Sequence, residues 1–207
     1  MSTAAKGRPK SEEKKEAMLS AAADLFLENG YDGVSMDLVA DRAGVSKQTV
    51  YSHFGNKDAL FASCVTCKME EYGLGPALLD HDLPAREGLS RIGQHFNALL
   101  LSPEAVRMKR LMCAHAESNP KLSELFYQAG PAMMKEIFAD YLDRQVARGQ
   151  LQIEDTALAA RHFLYMIQGD AHMMALLNIS EAPSAEETDR YVESCVELFM
   201  TVYGTKG

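Results

Sequence analysis

Ser46, Lys47, Gln48 and Thr49 stand side by side, with Tyr51, Ser52 and His53 directly behind them and Lys57 a little further on. Lysine and glutamine carry long side chains whose N–H groups reach the acceptors on base edges, so the pair suits a reader of the DNA major groove. Threonine offers a methyl group to a base or a hydroxyl to a phosphate. Tyr51, Ser52, His53 and Lys57 suit the sugar–phosphate backbone, where contacts position a domain without specifying a sequence. The start of a helix at Ser46 would add unpaired N–H groups and positive dipole character, both favourable to a phosphate.

Covalent chemistry finds no comparable cluster. The chain has no nucleophile elbow, phosphate loop, paired-histidine motif or glycine-rich dinucleotide turn, so it is expected not to be an enzyme and to need no cofactor. Cys64 and Cys67 share a helix face and suggest an alternative regulator that senses oxidation. Small buried apolar side chains are their plainer role, and no further cysteine or histidine pair completes a metal site, so no metal is expected. A helical scaffold that ignores DNA is the other alternative, distinguished by the absence of a salt-sensitive affinity for duplexes.

Polar residues reach a groove only from a protruding, rigid helix. Ser35 caps a short helix through Ala43, Gly44 permits a tight turn, and Ser46 caps a second helix over 47–54. Leu38, Val39 and Ala43 give the first helix an apolar face, Ala40 is small where helices cross, and Val45 and Val50 fill the angle between them. A short helix, a glycine and another helix also occur in proteins with no DNA partner, so this pattern leaves both readings open. Upstream, Met18, Ala22, Leu25 and Phe26 recur at helical spacing from Glu12 to Asn29, with Ser11 as the expected cap and Gly30 as the stop. Downstream, Asn56 caps a fourth helix to about Tyr72, and a breaker-rich linker spans 73–84. Helices are then expected over 85–101, 103–118, 120–129, 131–148, 155–178 and 184–203, the last with a Ser184–Glu187 capping box. No segment alternates as a strand would, so the fold class is all-α. The domains are a flexible basic arm at 1–10, a helix-turn-helix domain at 11–56 (motif 35–54), and a helical domain for effector binding and dimerisation at 57–207.

The 207 residues carry a net charge of −8, unusual for a nucleic-acid binder until its distribution is considered. Residues 1–60 hold 8 basic and 9 acidic side chains, and residues 61–207 hold 13 and 20, so the acidity lies in the C-terminal part. No apolar run approaches the ~20 residues of a membrane span and no signal peptide is legible, which predicts a cytoplasmic protein with no membrane partner.

The run from Val34-Ser35-Met36 through Ala43-Gly44-Val45-Ser46-Lys47-Gln48-Thr49-Val50-Tyr51-Ser52-His53-Phe54 to Leu60, preceded by Ala21–Phe26 and Asn29-Gly30-Tyr31, resembles the N-terminal signature of the TetR/AcrR family of regulators. The resemblance covers residues 11–62 and implies DNA contacts at Ser35, Met36, Ser46, Lys47, Gln48, Thr49, Tyr51, His53 and Lys57. Gln48 and Ser52 depart from the side chains usual in that family, which concerns the operator sequence and not the DNA-binding role. Arg110–Glu117, Leu125-Phe126-Tyr127, Gly130-Pro131, Gly149–Leu151, Gly169-Asp170 and Leu176-Leu177 resemble the C-terminal domain of the AefR-like subgroup. That likeness implies a small-molecule effector, dimerisation and targets that include efflux genes.

Two linked reading heads multiply affinity, which favours a homodimer on a palindromic operator of double-stranded DNA. The apolar faces of the last two helices, Phe163, Ile167, Met174 and Leu177 with Val192, Cys195, Val196 and Phe199, are expected to form a four-helix interface. The alternative is that they pack within one chain. Met108, Met112, His115, Phe126, Tyr127, Met134, Tyr165, Met166, Asp170 and Met173 are the expected lining of a pliable effector pocket. Adaptable Met-rich walls would take a lipophilic molecule, cationic if the excess acid is felt there. The same residues at helical spacing also describe an ordinary core.

Overall fold

Side-chain caps and left-handed glycines set where the helices start and stop. The computed structural model describes residues 10–76, 83–179 and 183–205. The basic arm lies outside these residues except for Lys10, as does 77–82 of the linker. Helix α1 (Lys10–Asn29) begins one residue before Ser11, which is therefore not its cap. Helix α2 (Met36–Ala43) is capped by Ser35, whose Oγ accepts the Leu38 N–H at 3.1 Å. Gly44 at φ 65° closes it, letting the Val45 N–H turn back to the Ala40 carbonyl at 3.0 Å. Helix α3 (Lys47–Phe54) is capped by Ser46, and α4 (Lys57–Glu71) by Asn56, whose side chain accepts the Ala59 N–H at 2.8 Å.

The chain divides into two compact units, one extending to Cys67 and the other beginning at Lys68. The division falls inside α4, not at 56/57 as the sequence suggests. Leu60 and Phe61 are fully buried early in the helix, and Phe61 packs edge-on against Phe26 and Tyr31 at 5.2 and 5.5 Å. The hydrophobic centre of the first unit therefore needs the first half of α4. Met69, near its end, belongs to the core of the second unit.

In the second unit, α5 (Ala85–Leu101), α8 (Met133–Ala147), α9 (Thr156–Leu177) and α10 (Ala185–Tyr203) surround an aromatic core. Phe163 lies 5.1 Å from Phe138 and 5.2 Å from Phe199, ring centre to ring centre. Helices α6 (Pro103–His115) and α7 (Pro120–Tyr127) pack on each other, and α6 also meets α5 and α9. Gly130-Pro131 does not open a loop before α8. A π-helical segment, Gln128–Ala132, carries the chain across it, because a widened turn accommodates a residue without an N–H. Arg110 of α6 secures the far end of α9, donating to the carbonyls of Leu176 at 2.8 Å and Ala175 at 2.6 Å. Cations belong at a helix C-terminus, and here Arg110 adds to the bond that the Asn178 N–H makes to the Ala175 carbonyl at 3.2 Å. Beyond helices, the described residues contain only an isolated antiparallel bridge between Leu151 and Gly204. No helix among them is long and apolar enough to cross a membrane.

Candidate nucleic-acid interface

Burial separates the two faces of α3. Val50 and Phe54 point inward with Val39 and Ala40 of α2, while Ser46, Lys47, Gln48, Tyr51, Ser52 and His53 are exposed and Thr49 is half-buried. Three of these polar groups also stiffen the helix. Ser46 Oγ accepts the Thr49 N–H at 3.2 Å and lies 2.8 Å from Thr49 Oγ1. Ser52 Oγ donates to the Thr49 carbonyl at 2.9 Å. Lys47, Gln48, Tyr51 and His53 are the long exposed side chains, set on a helix whose first turn is fixed.

Three expected contacts change role in the structure. Met36 is buried, because it opens α2 on the side facing the core. Ser35 is occupied as the α2 cap. Lys57 does not project from α4: its ammonium donates to the Tyr31 carbonyl at 3.0 Å and sits 4.2 Å from the centre of that ring. The Tyr31 hydroxyl donates to Asp58, and burial with this carboxylate pushes the phenol well above its ordinary range. Lys57 and Asp58 therefore brace the start of α4 against the end of α1.

Asp37 is a neighbour of this face that the sequence reading missed. The Lys47 ammonium lies 2.8 Å from its carboxylate, which raises the lysine pKa chiefly through that hydrogen bond. The visible signal was an acid in the first turn of α2, a position that helix dipoles favour anyway. A carboxylate here is expected to compete with phosphate or base for Lys47 and to add a negative charge beside it. Asp37→Asn is expected to tighten duplex binding roughly three- to ten-fold at low salt. Fluorescence anisotropy on one duplex with wild type and variant checks this, and unchanged affinity removes Asp37 from the account.

Family profiles cover both units. That of the bacterial regulatory proteins of the tetR family matches residues 18–64, and that of the AefR-like transcriptional repressor C-terminal domain matches residues 87–205. The chain belongs to the TetR family of transcriptional regulators. It is similar to the HTH-type transcriptional regulator YdeS of Bacillus subtilis, at 32% identity over 80% of this chain and 84% of that one. Among solved structures, a TetR-family transcriptional regulator from Mesorhizobium loti superposes with a TM-score of 0.74 at 31% identity, over 96% of this chain and all of the other. The flavonoid-responsive regulator FrrA gives 0.68 at 28%, over 95% of this chain and all of its own. This TetR-family protein is thus a DNA-binding transcriptional regulator and not an enzyme.

The second unit corrects two expectations. Phe163, Ile167, Val192, Cys195, Val196 and Phe199 belong to the regulator's own core and present no surface to a second copy. Met174 is half-buried, and only Leu177 of that set is exposed. Both helices have apolar residues on two sides, and the larger aromatic side faces inward. The expected pocket residues scatter in the same way. Met112 and Met134 are buried, Met108, Phe126 and Met166 are half-buried, and His115, Tyr127, Tyr165, Asp170 and Met173 are exposed. Met134 and Met166 join the core of the second unit, while Tyr127 and Tyr165 flank the Lys135 ammonium at 4.9 and 5.8 Å from their ring centres. A cavity of about 380 Å³ lies elsewhere, against α5, α9 and α10, and none of the ten lines it. His172, buried on α9, is satisfied by the Leu100 carbonyl at 3.0 Å.

Of the two cysteines in the oxidation-sensing alternative, Cys64 is buried and Cys67 half-buried. Burial pushes the Cys64 thiol up to about 12, and its Sγ donates to the Leu19 carbonyl at 3.6 Å. A thiol so held offers almost no thiolate at neutral pH, and thiolate is the form that oxidants attack. Among the described residues no group of histidines, cysteines and carboxylates could hold a metal ion.

Proposed function

We propose that this regulator is a cytoplasmic repressor. A homodimer occupies a palindromic operator, with α3 of each copy in a major groove, and leaves when a small lipophilic molecule binds the C-terminal unit. The observation that carries this reading is the exposed row Lys47, Gln48, Tyr51 and His53 on a helix whose opposite face is locked into the core. The AefR-like repressor profile over the second unit supports repression. The name of FrrA supports a flat, largely apolar effector.

The dimer interface is reassigned to the outer faces of α9 and α10. Leu158 and Tyr165 on α9, and Leu198 and Val202 on α10, recur at helical spacing and are exposed, Tyr165, Leu198 and Val202 at 62, 60 and 69%. The two helices run antiparallel, since Tyr191 meets Met166 while Phe199 meets Phe163. Their exposed apolar residues so make one strip, suited to a two-fold copy of itself. Leu198→Glu is expected to yield monomers in sedimentation velocity and to weaken operator binding at least ten-fold, on the order of the avidity that linked half-sites provide. A variant that stays dimeric removes this interface. In the same reading α4 couples effector to operator, because one continuous helix supplies side chains to both cores.

A further inference from the structure

Helix α9 is interrupted at Gly169, whose φ of 54° and ψ of −172° lie in a region that essentially only glycine occupies. A regular helix would direct the carbonyls of Met166 and Ile167 at N–H groups four residues on. Here they accept from side chains of neighbouring helices. The Tyr191 hydroxyl donates to Met166 at 2.7 Å, and the Asn97 side-chain N–H donates to Ile167 at 3.1 Å. A Cβ on Gly169 would come within 2.7 Å of the Tyr191 hydroxyl, so the break and the tyrosine require each other.

Asn97 is only 4% exposed, and its Oδ1 has no hydrogen-bond partner. The amide cannot be turned around to improve matters, because that would set its oxygen against the Ile167 carbonyl. A buried acceptor left unpaired is costly, so the position calls for a donor. Asn97 lines the 380 Å³ cavity with Ala171, Pro183, Glu187, Arg190 and Tyr191. That volume lies in the range of small-molecule sites. Glu187 is engaged with Ser184, accepting from its N–H at 2.9 Å and its hydroxyl at 2.8 Å, which holds it ionised. Among the lining side chains its negative charge is balanced by the positive charge of Arg190, so the lining itself carries no net charge. Ala171, Pro183 and the ring of Tyr191 offer apolar contact.

We infer that this cavity is a binding site for a neutral, ring-bearing phenol, whose O–H donates to Asn97 Oδ1 while the ring lies against Ala171, Pro183 and Tyr191. The cationic effector suggested by overall acidity does not match this charge balance. That such a ligand also releases DNA rests on the repressor reading above, whereas the binding itself does not.

The full-length protein is titrated by calorimetry with para-propylphenol and, separately, with its methyl ether, which has the same body and no donor. The phenol is expected to bind, and the ether to bind at least about ten-fold more weakly, because a polar site rejects an analogue that leaves it unpaired. Asn97→Leu would also uncap Ile167 and risks the fold. Ala171→Leu fills the cavity from its wall without touching that bond and is expected to abolish phenol binding at an unchanged Tm. Equal affinity for phenol and ether overturns the inference, as does undiminished binding to Ala171→Leu. No binding of the phenol up to millimolar concentration also overturns it and leaves the amide to an ordered water. Operator release is measured in parallel by anisotropy. Phenol binding without release keeps the site and sinks the effector role.

Discussion

Phe163→Ala is expected to destabilise the second unit by about 3–5 kcal/mol, the usual cost of emptying a buried aromatic site. Phe163 is fully buried and touches Phe138 and Phe199 on two different helices, so its removal leaves a void that no single side chain can fill. For a chain of this size the loss corresponds to a fall in Tm of roughly 10 °C. Differential scanning calorimetry reads it directly. The result also separates the two roles open to the residue. A residue at a subunit interface would give a monomer with its core intact, whereas a core residue gives an unstable protein whatever its oligomeric state. A Tm within a degree or two of wild type contradicts the core assignment.

Gln48→Glu is expected to lower operator affinity roughly 100-fold while leaving the fold alone. Base edges in the major groove present mainly acceptors, and phosphates line its walls, so a carboxylate there meets repulsion where glutamine could donate. Gln48 is exposed, and an acid in the first turn of α3 sits well with the helix dipole, so Tm should hold or rise slightly. Calorimetry and anisotropy on the same preparation separate the effects. Lost binding with lost stability would show that Gln48 supports the helix and does not read DNA.

Much of the architecture is legible because it is written in local chemistry. Ser35, Ser46, Asn56, Ser102, Asn119 and Ser184 cap the helices that their positions suggest, each through a side-chain oxygen. Gly44 takes the left-handed turn that aims α3 outward. What stays hidden is contact between distant segments. Periodicity shows that α9 and α10 are apolar on broad faces, but not which side meets the core: Phe163 and Tyr165 are two residues apart and face opposite ways. The pairing of Lys47 with Asp37 depends on the angle of the turn between their helices, which no spacing rule supplies. Gly169 lies inside an unbroken apolar pattern, and its break becomes meaningful only beside Asn97 of α5 and Tyr191 of α10. The ten expected pocket residues do not line the cavity for the same reason, since methionine and aromatic side chains at helical spacing occur equally in cores and on surfaces.

Selection of the full-length protein against a library of random duplexes, followed by affinity measurements across salt concentration, tests the role of α3 most directly. The account predicts an enriched inverted repeat with half-sites about one helical turn apart, or a multiple of it, and an affinity that falls linearly on a log–log plot as salt rises. Recovery of no preferred sequence, together with no salt-dependent binding even at low ionic strength, would contradict it.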